Sequence, residues 1–209
     1  MAEPEHFRVT YNDVHNIIKN ASKKIATWKP DILVAIGGGG FFPARVLRTF
    51  LKDPETRKNI PIYAIGLSLY ESLPGTTAEQ VGNEVIRTQW LGPEGAKVLV
   101  GRRCLIVDEV DDSRKTLHYA VKELKADVER EIQSLPEEQR AAAHTEFAVF
   151  VVHNKLKEKA AELPAELPYF PGQEVPDYWL DYPWEMENIE EHDRLAAEDK
   201  ARRAQESKA

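Results

Sequence analysis

Cysteine is nearly absent: Cys104 is the only one in 209 residues, which excludes an internal disulfide and leaves no cysteine cluster for zinc. No apolar run approaches the roughly 20 residues that span a bilayer. Positive charge is outweighed by negative. The 28 Lys and Arg stand against 35 Asp and Glu, a formal charge of −7, so there is no electrostatic footprint for nucleic acid or an anionic membrane. Any phosphate-bearing ligand must therefore be held by local geometry, against the overall field. The opening residues, Met1-Ala2-Glu3-Pro4-Glu5, lack the basic and apolar regions of a signal peptide. The expectation is a cytoplasmic protein with neither nucleic-acid nor membrane partners. At 42% hydrophobic and 30% charged, the chain suffices for one domain with a substantial core and a small appendage.

Thr10 caps a helix expected from Tyr11 to Thr27, where Val14, Ile17, Ile18, Ala21 and Ile25 recur at helical spacing and Pro30 stops the run. Ile32 to Ile36 is an unbroken apolar stretch between Pro30 and Gly37, as in a buried strand. Pro43 suits the first turn of a second helix reaching Leu51. Further strands are expected from Ile60 to Leu69, Cys104 to Val107 and Phe147 to Val152, with a long charged helix from Ser113 to Gln133. Strands alternating with helices predict an α/β fold, a mostly parallel sheet flanked by helices. Two regions break the rhythm. Tyr70 to Gly95 is polar, glycine-bearing and too long for an ordinary connector, which suggests a lid over about 70–95. Residues 163–185 are rich in proline and aromatics and read as a small hood on a core of residues 1–162. Residues 186–209 form a charged tail, taken as a solvated helix or frayed end.

The strand Leu105-Ile106-Val107 delivers Asp108, Glu109, Asp111 and Asp112 within five residues, at the carboxyl edge where open α/β sheets bind ligands. Like charges ~4 Å apart repel by about 4 kcal/mol at an effective dielectric near 20, so hydroxyls, amides or a metal must offset them. Arg114 and Lys115 then fall in the first turn of a helix, where the macrodipole disfavours cations unless an anion binds there. The plainer alternative makes Asp111, Asp112 and Ser113 helix caps and leaves the other charges to solvent. Gly37-Gly38-Gly39-Gly40 also joins a buried strand to a helix. It fails the G-x-G-x-x-G pattern, because Phe42 stands where glycine is needed, and it lacks the Gly-Lys pair of a P-loop.

The segment Val107 to Thr116 resembles the signature of type I phosphoribosyltransferases, and Ile36 to Arg45 resembles the pyrophosphate loop of the purine enzymes, which often carries a cis peptide. Val175 to Glu185 is similar to the hood of 6-oxopurine phosphoribosyltransferases. The likeness runs from about Tyr11 to Glu185 and points to the fungal hypoxanthine–guanine and xanthine forms. It implies transfer of phosphoribose from 5-phosphoribosyl 1-diphosphate to guanine, hypoxanthine or xanthine, with Mg2+ and as a homodimer. A non-catalytic nucleotide-sensing regulator on the same fold is the rival reading.

The same resemblance implies the site. Asp108 and Glu109 meet the ribose hydroxyls and magnesium, with Glu185 as a further acid near the metal. Asp112 is the general base near N7. The rest of the phosphoribosyl diphosphate site is Gly38, Gly39, Asp111, Ser113, Arg114, Lys115 and Thr116. Relatives often have glycine where Arg114 stands, and a basic residue where Gly38 stands. Arg87 is therefore the candidate for the missing charge, a surface arginine being the alternative. Lys155, read alone as an exposed strand-end lysine, would donate to the purine O6; Trp179 would stack on the base and the Leu180 backbone would read its edge. Trp184 is expected to be a core aromatic.

Overall fold

A computed structural model describes residues 5–53, 55–56, 58–69 and 85–206. In chain order the elements are β1 (His6–Arg8), α1 (Tyr11–Trp28), β2 (Ile32–Gly37), α2 (Phe41–Phe50), β3 (Ile62–Leu69), β4 (Val85–Gln89), α3 (Pro93–Leu99), β5 (Arg103–Asp111) and α4 (Lys115–Gln133). Then come α5 (Glu137–Arg140), β6 (Glu146–Lys155), β7 (Tyr169–Val175), β8 (Trp179–Asp181), a 3-10 turn at Pro183–Glu185, and α6 (Ile189–Glu206). Six strands form one sheet in the order β4-β3-β2-β5-β6-β7; only β4 runs antiparallel, against β3. The small strands β1 and β8 pair in parallel.

Apolar residues run unbroken in the central strands because both faces are covered. Leu33, Ala35, Leu105, Val107, Ala148 and Phe150 point into the core made with α1 and α2. Their neighbours Ile32, Val34, Cys104, Ile106, Phe147 and Val149 point into the core made with α4. Because β2, β3, β5 and β6 are parallel, Gly37, Leu69, Asp111 and Lys155 all end on one edge of the sheet.

The helix ends follow local chemistry. Thr10 and Asp13 close a capping box, with Asp13 N–H donating to Thr10 Oγ1 at 3.2 Å and Thr10 N–H to Asp13 Oδ2 at 2.9 Å. Lys29, in the left-handed region at φ 55°, ends α1 before Pro30. Helix α2 begins two residues before Pro43, which still lies among the first N–H groups that have no helical partner. Helix α4 starts at Lys115 rather than Ser113, because Arg114 is left-handed at φ 69°.

Other expectations change more. The polar segment divides: residues 70–84 lie outside the described residues, while Val85–Gln89 is a strand and Pro93 opens a helix. The segment assigned to the hood also divides, since β7 extends the main sheet beside β6 and only β8 and the turn after it form a rim. The tail is a docked helix. His192 Nε2 donates to Val9 O at 2.9 Å, Ala196 is buried, Arg8 pairs with Asp199 at 2.7 Å, and the Arg203 guanidinium lies 4.4 Å from the Phe7 ring centroid. Among the described residues no helix is long and apolar enough to cross a membrane.

Candidate active site

A cleft of about 290 Å³ opens at that carboxyl edge, lined by Gly37 to Gly39 on one side and by Asp108 to Arg114 with Thr116 on the other. The Gly37–Gly38 peptide is cis. A Cβ on Gly38 would meet nothing within 4 Å, whereas one on Gly39 would overlap the Glu109 carboxyl group. With no side chain on Gly39, the Glu109 carboxyl group lies directly against the loop.

The acidic string is not uniform. Asp108 is buried and accepts the Glu109 N–H at 2.8 Å. Burial first, then the Glu109 charge, pushes its carboxyl well above the usual carboxylate range. Glu109 is pushed up to about 7 by burial and by Glu185, against the hydrogen bond from Trp184 Nε1 at 2.8 Å. Asp111 is fully buried, and its Oδ2 accepts from Arg114 Nε at 2.9 Å and from the Tyr169 hydroxyl at 2.8 Å. Lys159 lies 3.5 Å from its other oxygen. Burial would raise Asp112, but hydrogen bonds from Lys155 and Lys157 outweigh it and hold the carboxyl below its ordinary value. Both ammonium groups sit 3.0 Å from Asp112, and both also face Asp177, at 3.8 and 2.9 Å.

The structure thus brings Gly38, Gly39, Asp108, Glu109, Asp112, Ser113 and Thr116 around one cleft, with Lys115 opening α4 beside it. Asp111 and Arg114 line the cleft too, but their charged groups are spent on each other at 2.8 Å, and Arg114 lies over the Tyr169 ring. This is what the arginine does where a glycine was expected. Lys155 is buried and bound to Asp112, so the reading as an exposed strand-end lysine is overturned.

Arg87 is not among the residues lining the cleft. Its guanidinium lies over Trp90, 4.2 Å from the ring centroid, and binds the Tyr119 hydroxyl and Glu123 on α4. Trp179 is 57% exposed on the rim, Leu180 turns its side chain into the core, and Glu185 is exposed. Sequence reasoning missed Lys157 and Lys159, which follow Lys155 at every second position. Lys159 donates to the carbonyls of Asp111, Asp112 and Lys155 at 2.7–2.9 Å, clamping the loop. Trp184 packs against the core, as expected, and its indole N–H also binds a site carboxylate.

Among the described residues, no three His, Cys, Asp or Glu side chains are grouped to hold a metal ion. Asp108, Glu109 and Glu185 offer oxygen only, which suits a hard cation, and Glu109 and Glu185 repel each other as a divalent ion would relieve. The donors fit a magnesium ion shared with substrate oxygens rather than a cage of protein ligands.

Residues 10–135 match the phosphoribosyl transferase domain family. The chain is 51% identical over 202 residues to hypoxanthine-guanine phosphoribosyltransferase of Schizosaccharomyces pombe, covering 93% of this chain and 96% of that one. It is 47% identical over 207 residues to xanthine phosphoribosyltransferase 1 of Saccharomyces cerevisiae, covering 94% and 97%. Among solved structures it is similar to a hypothetical protein from Neisseria gonorrhoeae with bound ppGpp, at TM-score 0.77 and 39% identity over 95% and 99% of the two chains. The chain belongs to the phosphoribosyltransferase family, with the type I fold of a mostly parallel sheet between helices.

Proposed function

We propose that this protein is a purine-salvage enzyme that joins guanine, hypoxanthine or xanthine to 5-phosphoribosyl 1-diphosphate, releasing pyrophosphate. The observation that carries the reading is the Lys155–Asp112 contact at 3.0 Å, which sets a donor for the purine O6 beside a carboxylate for N7. In the reaction the C1–pyrophosphate bond breaks as N9 bonds to C1. Asp112 takes the proton that the purine loses, and Lys155 turns from Asp112 to O6.

The amides of Gly38 and Gly39 hold the departing pyrophosphate. Those from Ser113 to Thr116, with the N-terminus of α4, hold the 5′-phosphate. Asp108 and Glu109 receive the ribose hydroxyls. Glu109, Asp108 and Glu185 would hold magnesium, which when bound would neutralise the charge of the pyrophosphate. Trp179, exposed on the rim, covers the base, and the Leu180 backbone meets its edge. Arg87 would have to leave Trp90 and Glu123 to serve the pyrophosphate. We assign the enzyme to the cytoplasm as a homodimer, in keeping with its charge and family.

The guanine nucleotide bound by the N. gonorrhoeae relative supports a purine site, and equally suits a non-catalytic nucleotide sensor. One experiment separates the two: pyrophosphate release from phosphoribosyl diphosphate with guanine, hypoxanthine, xanthine and adenine, each with magnesium and with chelator. An enzyme releases it with at least one 6-oxopurine, far less with adenine, and only with the cation. Absence of release with every base would leave the sensor.

A further inference from the structure

Glu109 is held by the rim of the hood at both its ends. Trp184 Nε1–H donates to its carboxylate at 2.8 Å, and the Tyr182 hydroxyl donates to its backbone carbonyl at 3.0 Å. Tyr182 is itself fixed, because its oxygen accepts from Nδ1 of the buried His153 at 2.8 Å. The Trp184 indole stacks between two rings, Tyr182 at 4.7 Å and 9° and Phe42 of α2 at 5.4 Å and 11°. An indole has one polar hydrogen and no acceptor, so in this sandwich its single polar contact is the Glu109 carboxylate. That carboxylate in turn overhangs Gly39. The glycine loop, the acidic strand and the hood therefore converge on one side chain.

We infer that Trp184 is a positioning residue: its N–H fixes the Glu109 carboxylate over Gly39, in the place from which it receives the ribose hydroxyls, and so ties the purine-side hood to the ribose side of the site. The inference rests on the proposed role of Glu109 at the ribose. A bond from a neutral donor to a carboxylate is of the stronger kind and strongly directional. Losing it lets the carboxylate swing about its side-chain torsions without altering the strand beneath. Ligands that contain ribose depend on Trp184, and the free base does not.

Trp184→Phe tests this, since it keeps a ring between Tyr182 and Phe42 and deletes only the donor. GMP binding is measured calorimetrically on the full chain in metal-free buffer, for the wild type, Trp184→Phe, Glu109→Ala and the double variant. Trp184→Phe should weaken GMP by roughly 3–10-fold, what the loss of one hydrogen bond typically costs, with the KM for guanine within about twofold of wild type. In the Glu109→Ala background, which leaves the indole no acceptor, the same substitution should cost nothing more, because residues acting through one contact are not additive.

If Trp184→Phe does not fold, Phe42→Ala removes an exposed ring from one side of the indole. It should weaken GMP by about 2–5-fold in the wild type and not at all beside Glu109→Ala. Unchanged GMP affinity, or an equal loss in both backgrounds, overturns the inference. A wild type that binds no GMP overturns instead the reading on which it rests.

Discussion

Asp108 and Glu109 are separated from Asp111 and Asp112 by Val110 alone, yet the two pairs live in opposite surroundings. The first pair faces backbone amide, indole and another carboxylate, so burial and repulsion push both carboxyls upward, Glu109 to about 7. The second pair is clothed in cations: Arg114 and Lys159 on Asp111, Lys155 and Lys157 on Asp112. One half of the motif waits for hydroxyls or a cation from the substrate. The other is neutralised within the protein, which keeps the adjoining phosphate loop free of competing negative charge. A net charge of −7 is compatible with binding phosphates because the screening is this local.

The sharpest way to break that contrast is at Asp112. Asp112→Asn keeps the shape and an acceptor but removes the basic carboxylate. Turnover should fall by about 10²–10⁴ with little change in phosphoribosyl diphosphate affinity. Single-turnover rates read this directly, and an unchanged chemical step would remove Asp112 from the mechanism.

Arg114 tests the structural member of the cation-clothed pair. Arg114→Ala strips the buried Asp111 of its main partner and keeps a side chain in the left-handed region, so unfolding free energy should drop by about 3 kcal/mol, the lower end for a broken buried pair. Arg114→Gly should be milder by about 1 kcal/mol, since glycine accepts φ 69° without strain. Urea denaturation of both variants makes the comparison. A larger loss for glycine than for alanine would contradict it.

Lys155→Met keeps much of the buried stem and deletes the ammonium. For 6-oxopurines kcat/KM should fall roughly 10–150-fold, the equivalent of 1.5–3 kcal/mol for a charge-assisted bond. Because Lys155 also binds Asp112, adenine loses whatever follows from disturbing the base alone. The ratio of the two losses isolates the O6 contact; a ratio near one assigns base choice to another group.

Much of this arrangement was legible in the chain. Unbroken apolar runs gave the buried strands, Thr10 the start of α1, and the crowded acids with the glycine run gave the cleft. What escaped is what sequence spacing does not encode. Lys155 was legible as a donor but not as buried, because the strand ran three residues beyond its expected end. Arg87 carries no local sign of which neighbour it faces, and antiparallel β4 turns it onto Trp90 and α4. Trp184 reads as an apolar ring in any pattern, since one N–H decides its role and the chain position of Glu109 is 75 residues away. The tail looked solvated because α6 is polar almost throughout, yet His192 and Ala196 are buried, and Asp199, Lys200 and Arg203 bind Arg8, Asp13 and the Phe7 ring.

The smallest expected effect concerns how Asp112 is tuned. In the ligand-free protein Lys155 and Lys157 hold its carboxyl below the ordinary value, so Asp112 stays ionised, and able to accept a proton, to lower pH. The acid limb of kcat/KM, which reports the free enzyme, should therefore fall in two steps, an upper one from Glu109 at about 7 and a lower one from Asp112 beneath the usual carboxylate range. Lys157→Met removes one of the two contacts and moves the lower step upward. Asp112 is about half-exposed, so the contact counts as a part-exposed ion pair of roughly 0.2–1 kcal/mol. On the acid limb the variant should thus lose about 1.5–5-fold relative to wild type, and near neutral pH it should lose little. Asp177→Asn should act in the opposite sense, because Asp177 competes for both lysines at 3.8 and 2.9 Å and its loss leaves them wholly to Asp112. Parallel pH profiles of the two variants decide the matter, since limbs that move together, or not at all, would separate Asp112 from the lysine pair.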